Sequence, residues 1–311
     1  MPTILISGGS GMIGSALTKA LTEKEYKVII LTRSDKGKVA SDLISYALWD
    51  VESGTIDEEA IKKADAIIHL AGANVADSRW TEKRKKEIVD SRVKSGNLLV
   101  KSLQEIKNNI KTIVSTSAIG YYGGDQQNAK GKPFVESDPA ENSFLGQTCV
   151  QWEEAIQPAQ ELGKRLVILR LGIVLSSEGG AYAEFKKPLN FGVASILGSG
   201  KQIVSWIHID DVVQLFIKAL EDENWKGVYN AVAPQPVTNQ ELITSIAKAK
   251  GSFFISAPVP QWVLKTMLGE MSIEILKSAT VSSIKSEQEG YTYLFPNIGT
   301  ATYQLNKKAS G

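Results

Sequence analysis

Short apolar, β-branched runs alternate with longer segments of helical spacing through the first half of the chain. The runs fall at residues 4–7, 28–32, 44–49, 66–70, 113–116 and 166–171. Several are almost wholly apolar, as expected for strands covered by helices on both faces. Their alternation with helical stretches predicts an α/β fold built on a parallel, doubly wound sheet. Between the fourth and fifth runs, residues 81–106 read as one long helix whose many Lys, Arg and Glu residues form a solvated face. The pattern loosens after Gly172. Gly179-Gly180 and Gly198-Ser199-Gly200 mark loops, and residues 206–209 form a short strand. Asp210 or Asp211 then caps a helix reaching Leu220. Thr238-Asn239-Gln240-Glu241 is a capping box ahead of a helical run, and Pro258 and Pro260 precede further short helices. Residues 125–132 read as a polar loop.

The first strand runs into Gly8-Gly9-Ser10-Gly11-Met12-Ile13-Gly14 and then into a helical pattern. Glycines there permit a tight turn and let the backbone approach a pyrophosphate, while the helix start offers free N–H groups and a positive dipole end. A glycine loop in this strand–helix setting predicts a Rossmann-type dinucleotide site at Gly8, Gly11, Met12, Ile13 and Gly14. The second strand bears on which dinucleotide. An acid at its tip would accept hydrogen bonds from the ribose of NAD, whereas an arginine suits the 2′-phosphate of NADP. This strand ends in Arg33 and Ser34 with no acid at the tip, which favours NADP(H). The fourth run ends in Leu70-Ala71-Gly72, small enough to let the dinucleotide cross the sheet edge. His69, inside that run, reads as a packed structural residue. The resulting division is a Rossmann domain over residues 1–172, with some later elements returning to its sheet. A smaller C-terminal substrate lobe follows over residues 173–311.

Composition narrows the function. The 311 residues are 43% hydrophobic, enough for a substantial core, and 35 basic against 34 acidic side chains leave a net charge of +1. That balance gives no footprint for nucleic acid or an anionic membrane. The lone Cys149 forbids an intrachain disulfide, and with only His69 and His208 beside it no Cys/His zinc site is expected. No run approaches the ~18 residues of a membrane span, and no secretory leader is recognised. A cytoplasmic protein without a metal is the simplest expectation.

The loop, the Leu70-Ala71-Gly72 turn, Ser115-Thr116-Ser117 and Trp206-Ile207-His208-Ile209-Asp210-Asp211 together resemble the extended, epimerase-like branch of the short-chain dehydrogenases/reductases. Closer still is an atypical subgroup of largely undefined role. Its hallmarks are similar to Arg79-Trp80, Ser91-Arg92, Ser117-Ala118-Ile119-Gly120-Tyr121-Tyr122-Gly123, Trp152-Glu153, Arg170-Leu171-Gly172-Ile173-Val174-Leu175 and Asn230-Ala231-Val232-Ala233-Pro234. Typical members use a Tyr-x-x-x-Lys pair, in which the lysine lowers the tyrosine pKa for proton transfer. Anchored on Trp152-Glu153, those two positions hold Leu145 and Cys149, and no such pair occurs elsewhere. The resemblance leaves Ser117, Tyr121 and Tyr122 as candidate catalytic groups, with Ser117 or Tyr122 as donor to a developing alkoxide. Arg79 would help hold the cofactor and Val174 would line the nicotinamide. Glu136, Glu153 and Asp211 are ionisable but equally explained as caps or ion pairs, and His208 reads first as structural.

Two functions follow as expectations. One is an NADP(H)-dependent oxidoreductase or epimerase acting on a small polar, sugar-nucleotide-like substrate. The other is a non-catalytic NADP(H)-binding regulatory or interaction protein. The resemblance extends to proteins described as cell-division factors, which would suit the second. Phe185, Phe191, Trp262 and Met267 are open between pocket lining and core. The branch implies a homodimer, although the charged face at residues 83–94 argues against a large apolar seam there.

Overall fold

The computed structural model describes residues 1–128 and 131–308. Ala129 and Lys130 of the expected polar loop, and residues 309–311 of the expected C-terminal lobe, lie outside the described residues. The chain begins with β1 (Thr3–Ser7), α1 (Met12–Glu23), β2 (Lys27–Thr32), β3 (Ile44–Asp50) and a short β4 (Thr55–Ile56). It continues through α2 (Glu58–Lys63), β5 (Ala66–His69), α3 (Glu82–Glu105), β6 (Thr112–Ala118), α4 (Phe144–Ile156) and β7 (Arg165–Leu171). After Gly172 come β8 (Ile173–Ser176), α5 (Gly180–Leu189), β9 (Val193–Leu197), β10 (Ile203–Val204), β11 (Trp206–His208), α6 (Ile209–Glu221) and β12 (Gly227–Ala231). The chain closes with β13 (Val237–Thr238), α7 (Asn239–Lys250), β14 (Ile255–Val259), α8 (Gln261–Leu268), α9 (Met271–Leu276), α10 (Ile284–Gln288) and α11 (Ile298–Lys308).

The main sheet has the order β12-β7-β6-β5-β1-β2-β3-β4. Every pairing in it is parallel except β3 with β4. From β1 the chain builds outward to β2 and β3, then returns to β5 on the other side and builds toward β12. The crevice beyond the carboxyl ends of β1 and β5 is therefore the switch point, where doubly wound sheets bind ligands.

Strand periodicity sorts side chains onto two faces. Ile4 and Ile6 join Leu17 and Leu21 of α1 and Phe216 of α6 in one core, whereas Leu5 joins Ile61, Leu99 and Ile156 in the other. Each such side chain fully removed from water contributes about 1.5–3 kcal/mol. The long helix α3 shows its buried stripe at Ile88, Arg92, Ser95, Leu99 and Leu103, the spacing of one helical face. Gly96 lets α4 approach, since a Cβ there would stand 3.0 Å from that of Ala155.

A third core gathers Leu175, Tyr182, Trp206, Leu242 and Leu305 beyond the carboxyl edge of the sheet, with Phe185 packed against it. Three two-stranded pairs, β8 with β11, β9 with β14 and β10 with β13, brace the chain there. Residue 172 is no clean border: α6 packs in the first core and β12 pairs with β7 in the main sheet. Phe191, Trp262 and Met267 are exposed, so they are not core. The cap of α6 also differs from the expected aspartates. His208 Nδ1 accepts the N–H of Asp210 at 3.0 Å, and Asp211 is buried beneath the tail. Among the described residues no helix is long and apolar enough to cross a membrane.

Candidate functional site

The loop after β1 is shaped by its glycines. Gly8 sits at φ +74°, and a Cβ on it would stand 2.9 Å from the carbonyl carbon of Leu70, so β1 and β5 can end side by side only with glycine there. A Cβ on Gly14 would lie 2.5 Å from Gly9 Cα, so its absence draws α1 onto the loop. Gly11 caps α1 without a side-chain bond, and the first helical bond runs from Ser15 N–H to Gly11 O at 2.8 Å. The N–H groups of Met12, Ile13 and Gly14 are therefore left for a ligand, at the positive end of a 12-residue helix.

The other expected cofactor residues surround this cradle unevenly. Arg33, just beyond β2, is exposed and makes no hydrogen bond or ion pair among the described residues. Ser34 beside it accepts the Thr32 hydroxyl through its carbonyl. Leu70 N–H donates to Ser7 O at 3.1 Å, fixing the Leu70-Ala71-Gly72 turn against the loop. Val174 and Ile13 both pack against the third core, and the Met12 sulfur lies 3.4 Å from where a Gly180 Cβ would be. Arg79 points elsewhere. Its guanidinium donates to the carbonyls of Met267, at 2.9 Å, and of Thr266, tying its loop to the end of α8. The open N–H groups and the glycine-only approach fit the pyrophosphate of a dinucleotide.

The candidate catalytic groups lie at the end of β6, and the structure separates them. Ser117 is buried and donates its hydroxyl to Glu153 at 2.6 Å. Glu153 is gripped by Arg170, with Nε to Oε1 and Nη2 to Oε2 both at 2.8 Å. Arg170 Nη1 donates to the Tyr122 hydroxyl oxygen at 2.8 Å, and that hydroxyl donates to Asn230 Oδ1 at 2.8 Å. Burial pushes the Tyr122 phenol far above its ordinary range. Both expected donors thus have their protons engaged inside the fold, and neither offers one to a ligand in this arrangement. Tyr121 differs. Its ring lies 3.4 Å from the Arg170 guanidinium carbon, it is half-buried, and its hydroxyl has no partner among the described residues.

Leu145 and Cys149 do face this turn. A Cβ on Gly120 would meet Leu145 Cβ at 3.4 Å, and the Cys149 thiol lies 3.6 Å from Ala118 O. Burial pushes that thiol up to about 11. His69 is sealed, 2.7 Å from the Ser7 hydroxyl, and burial lowers it to about 4. His208 is likewise lowered to about 4 by burial and meets Gln304 at 2.9 Å. Asp211 accepts from the N–H groups of Leu294 and Phe295 and the Tyr291 hydroxyl, a structural anchor for the tail. Glu136 accepts the Asn230 N–H at 2.8 Å. The Arg170 hub was not singled out from sequence, yet a charge flanked by the apolar residues of β7 was a signal, because such a charge requires a partner.

With this geometry in hand, known proteins identify the family. The model of the NAD dependent epimerase/dehydratase family matches residues 4–231, and that of a domain of unknown function, DUF1731, matches residues 259–305. An epimerase family protein of Mycobacterium bovis is 34% identical over 305 residues, covering 96% of this chain and 95% of that protein. YfhF, an epimerase family protein of Bacillus subtilis, is 32% identical over 303 residues, 97% of each. The structure of human epimerase family protein SDR39U1 (isoform2) with NADPH superposes with a TM-score of 0.86 at 29% identity, over 98% of this chain and 99% of that one. UDP-glucuronic acid 4-epimerase from Bacillus cereus, in complex with UDP-glucuronic acid and NAD, is 20% identical with a TM-score of 0.79, over 98% and 99%, and shares the fold. The chain belongs to the NAD dependent epimerase/dehydratase family, in the fold of its extended, epimerase-like branch.

Proposed function

We propose that the chain is an NADP(H)-dependent oxidoreductase or epimerase of a small polar, sugar-nucleotide-like substrate, with Tyr121 as its proton-transfer group. The observation that carries the cofactor choice is Arg33, unpaired and exposed at the tip of β2 beside the free N–H groups of the glycine loop. NADPH in the structure of the human relative supports the same choice. Met12, Ile13 and Gly14 would receive the pyrophosphate, Arg33 and Ser34 the 2′-phosphate, and Leu70, Ala71 and Gly72 would border the ribose path. A bound nicotinamide supplies hydride transfer. The chain's part is to orient the reacting carbon, exclude water and move a proton at Tyr121 Oη. Arg170 under the ring supplies a fixed positive charge there.

Calorimetric titration with NADPH, NADP⁺, NADH and NAD⁺ tests the reading. Wild type should prefer the phosphorylated pair, and Arg33→Ala should weaken NADPH about 10- to 100-fold while leaving NADH unchanged. Equal binding of NADH and NADPH by wild type would remove Arg33 from the site.

A second reading, a non-catalytic NADP(H)-binding protein, draws on a specific feature. Leu145 and Cys149 face the turn where the branch places its acid–base pair, and two of the three candidate hydroxyls are engaged. An enzyme oxidises bound NADPH when offered a fitting carbonyl. A binder instead changes its partner affinity between NADP⁺ and NADPH.

A further inference from the structure

Three arginines have their guanidinium groups buried or nearly so near the carboxyl edge of the sheet, and two have carboxylate partners. Arg170 holds Glu153 through two bonds of 2.8 Å, and Arg84 holds Glu87 at 2.7 Å. Arg92 has none. It sits on the buried stripe of α3 at 8% exposure, with no carboxylate in ion-pair reach among the described residues. Nη1 donates to the carbonyls of Ala73, at 3.0 Å, and Ile88, at 2.9 Å, and the Trp152 ring lies 4.7 Å from the guanidinium carbon. Nε and Nη2, which form one edge of the planar fork, have no partner, and neither is sealed within the fold. That edge matches the two oxygens of a carboxylate or phosphate. Carbonyl oxygens and an aromatic face soften the desolvation of a buried cation but do not supply its counter-charge.

The location adds to the argument. A Cβ on Gly72 would stand 3.1 Å from Arg92 Cζ, so the guanidinium lies directly under the turn that follows β5. Two residues earlier, Leu70 borders Gly8 of the glycine loop. On the other side, Trp152 shares a face of α4 with Cys149, whose thiol approaches Ala118 beside Ser117. Arg92 therefore lies between the nucleotide cradle and the Ser117–Tyr121 turn, where a ligand crossing from one to the other passes.

We propose that Arg92 is the buried half of an ion pair whose other half is a ligand oxyanion, a carboxylate or phosphate, bound at the Gly72 turn. The inference rests on the dinucleotide reading, because that reading brings ligand to this turn. The oxyanion belongs either to the dinucleotide's own phosphates or to a second molecule seated beside it.

The test compares wild type with Arg92→Lys, which keeps the charge but loses the fork, and Arg92→Gln, which loses the charge. NADPH is titrated by calorimetry, and inorganic phosphate and glucuronate are titrated onto NADPH-saturated protein by thermal shift, with glucose as the uncharged control. Wild type should respond to NADPH and, where the oxyanion is a second molecule's, to at least one added anion, but not to glucose, and both variants should weaken the ligand that Arg92 pairs with about 30-fold or more. Loss confined to NADPH assigns the oxyanion to the dinucleotide. Loss of phosphate or glucuronate with NADPH binding intact assigns it to a second ligand. Folded variants that bind every probe like wild type overturn the proposal, as does a wild type that binds NADPH but neither added anion while Arg92→Gln binds NADPH unchanged. Failure of wild type to bind NADPH defeats the dinucleotide reading instead. Should the variants not fold, the Arg92 Nε–H resonance of ¹⁵N-labelled wild type serves: it should move when the responding anion is added, and a stationary resonance overturns the proposal.

Discussion

Gly11→Ala and Gly14→Ala should separate ligand binding from packing, although both touch the same loop. At Gly11 an added Cβ meets only Gly8 O, at 3.4 Å, and φ of −77° with ψ of 171° is open to alanine. Alanine is a poorer N-cap than glycine by about 1 kcal/mol, and the reduced freedom of the unfolded chain returns about 0.4–1 kcal/mol. The net change in stability should stay within about 1 kcal/mol, roughly 2 °C in a chain of this size. The new methyl stands at the mouth of the cradle, where it holds a phosphate away from the N–H groups of Met12 and Ile13. Losing two charge-assisted hydrogen bonds removes about 3 kcal/mol, some 150-fold in affinity. At Gly14 the methyl meets backbone of the loop itself, with Gly9 Cα at 2.5 Å. Overpacking against backbone that cannot yield costs about 3 kcal/mol, so this variant should lose roughly 6 °C as well as binding. The assay is calorimetry with NADPH beside thermal melting of the apoprotein. Gly11→Ala that binds NADPH like wild type would refute the phosphate cradle; Gly14→Ala that melts like wild type would refute the packing argument.

The two adjacent tyrosines should behave oppositely. Tyr121→Phe should leave melting and NADPH affinity unchanged but lower turnover about 10²- to 10⁴-fold once a substrate is found. Tyr122→Phe orphans Asn230 Oδ1 and one Arg170 donor, and should cost about 1–3 kcal/mol in denaturant unfolding. Identical behaviour of the pair would undo their separation. Arg170→Met leaves Glu153 as an uncompensated, largely buried carboxylate and should destabilise by about 3–5 kcal/mol; Arg170→Met combined with Glu153→Met should recover much of that loss, and no recovery would mean the two act separately. His69 and His208 both have folded values near 4 against 6.5 unperturbed, lowered by burial. The unfolded chain therefore binds more protons between those values. Stability is complete above about pH 6.5 and falls as pH drops toward 4, by several kcal/mol for the pair on the order of the shifts. Thermal midpoints between pH 7 and 5, above the carboxylate range, check this, and a flat profile would show that the imidazoles are not sealed.

The sheet was legible because its strands carry their own signal. The six largely apolar runs correspond to β1, β2, β3, β5, β6 and β7, since a strand covered on both faces is mostly apolar, and only β3, next to the sheet edge, alternates buried with exposed positions. β12 was not legible as part of the same sheet. Gly227-Val228-Tyr229-Asn230-Ala231 mixes polar with apolar positions, and its place beside β7 depends on contacts between residues sixty positions apart. The Thr238 capping box was readable because both of its partners lie within four residues, and Thr238 and Glu241 bond reciprocally. The α6 cap was misread because an imidazole acting as acceptor requires a neutral, buried ring, which local sequence does not reveal.

At the candidate site the same distinction between local and long-range partners decides what sequence reasoning reaches. The glycine loop is local chemistry, with every residue of the cradle inside seven positions, so its pattern and its geometry coincide. The network around the candidate catalytic groups is not local. Ser117, Tyr122, Glu153, Arg170 and Asn230 come from separate elements, and only their assembly shows which hydroxyl protons are engaged. A search for Tyr-x-x-x-Lys finds an absence at Leu145 and Cys149, yet it cannot see that Arg170 brings a cation under Tyr121 from a strand twenty-five residues beyond Leu145. The loss of a helix-borne pair therefore does not establish the loss of chemistry. In this fold a phenol and a fixed positive charge meet through the sheet instead of along a helix, and the unengaged Tyr121 hydroxyl is the group on which a catalytic and a non-catalytic protein must differ.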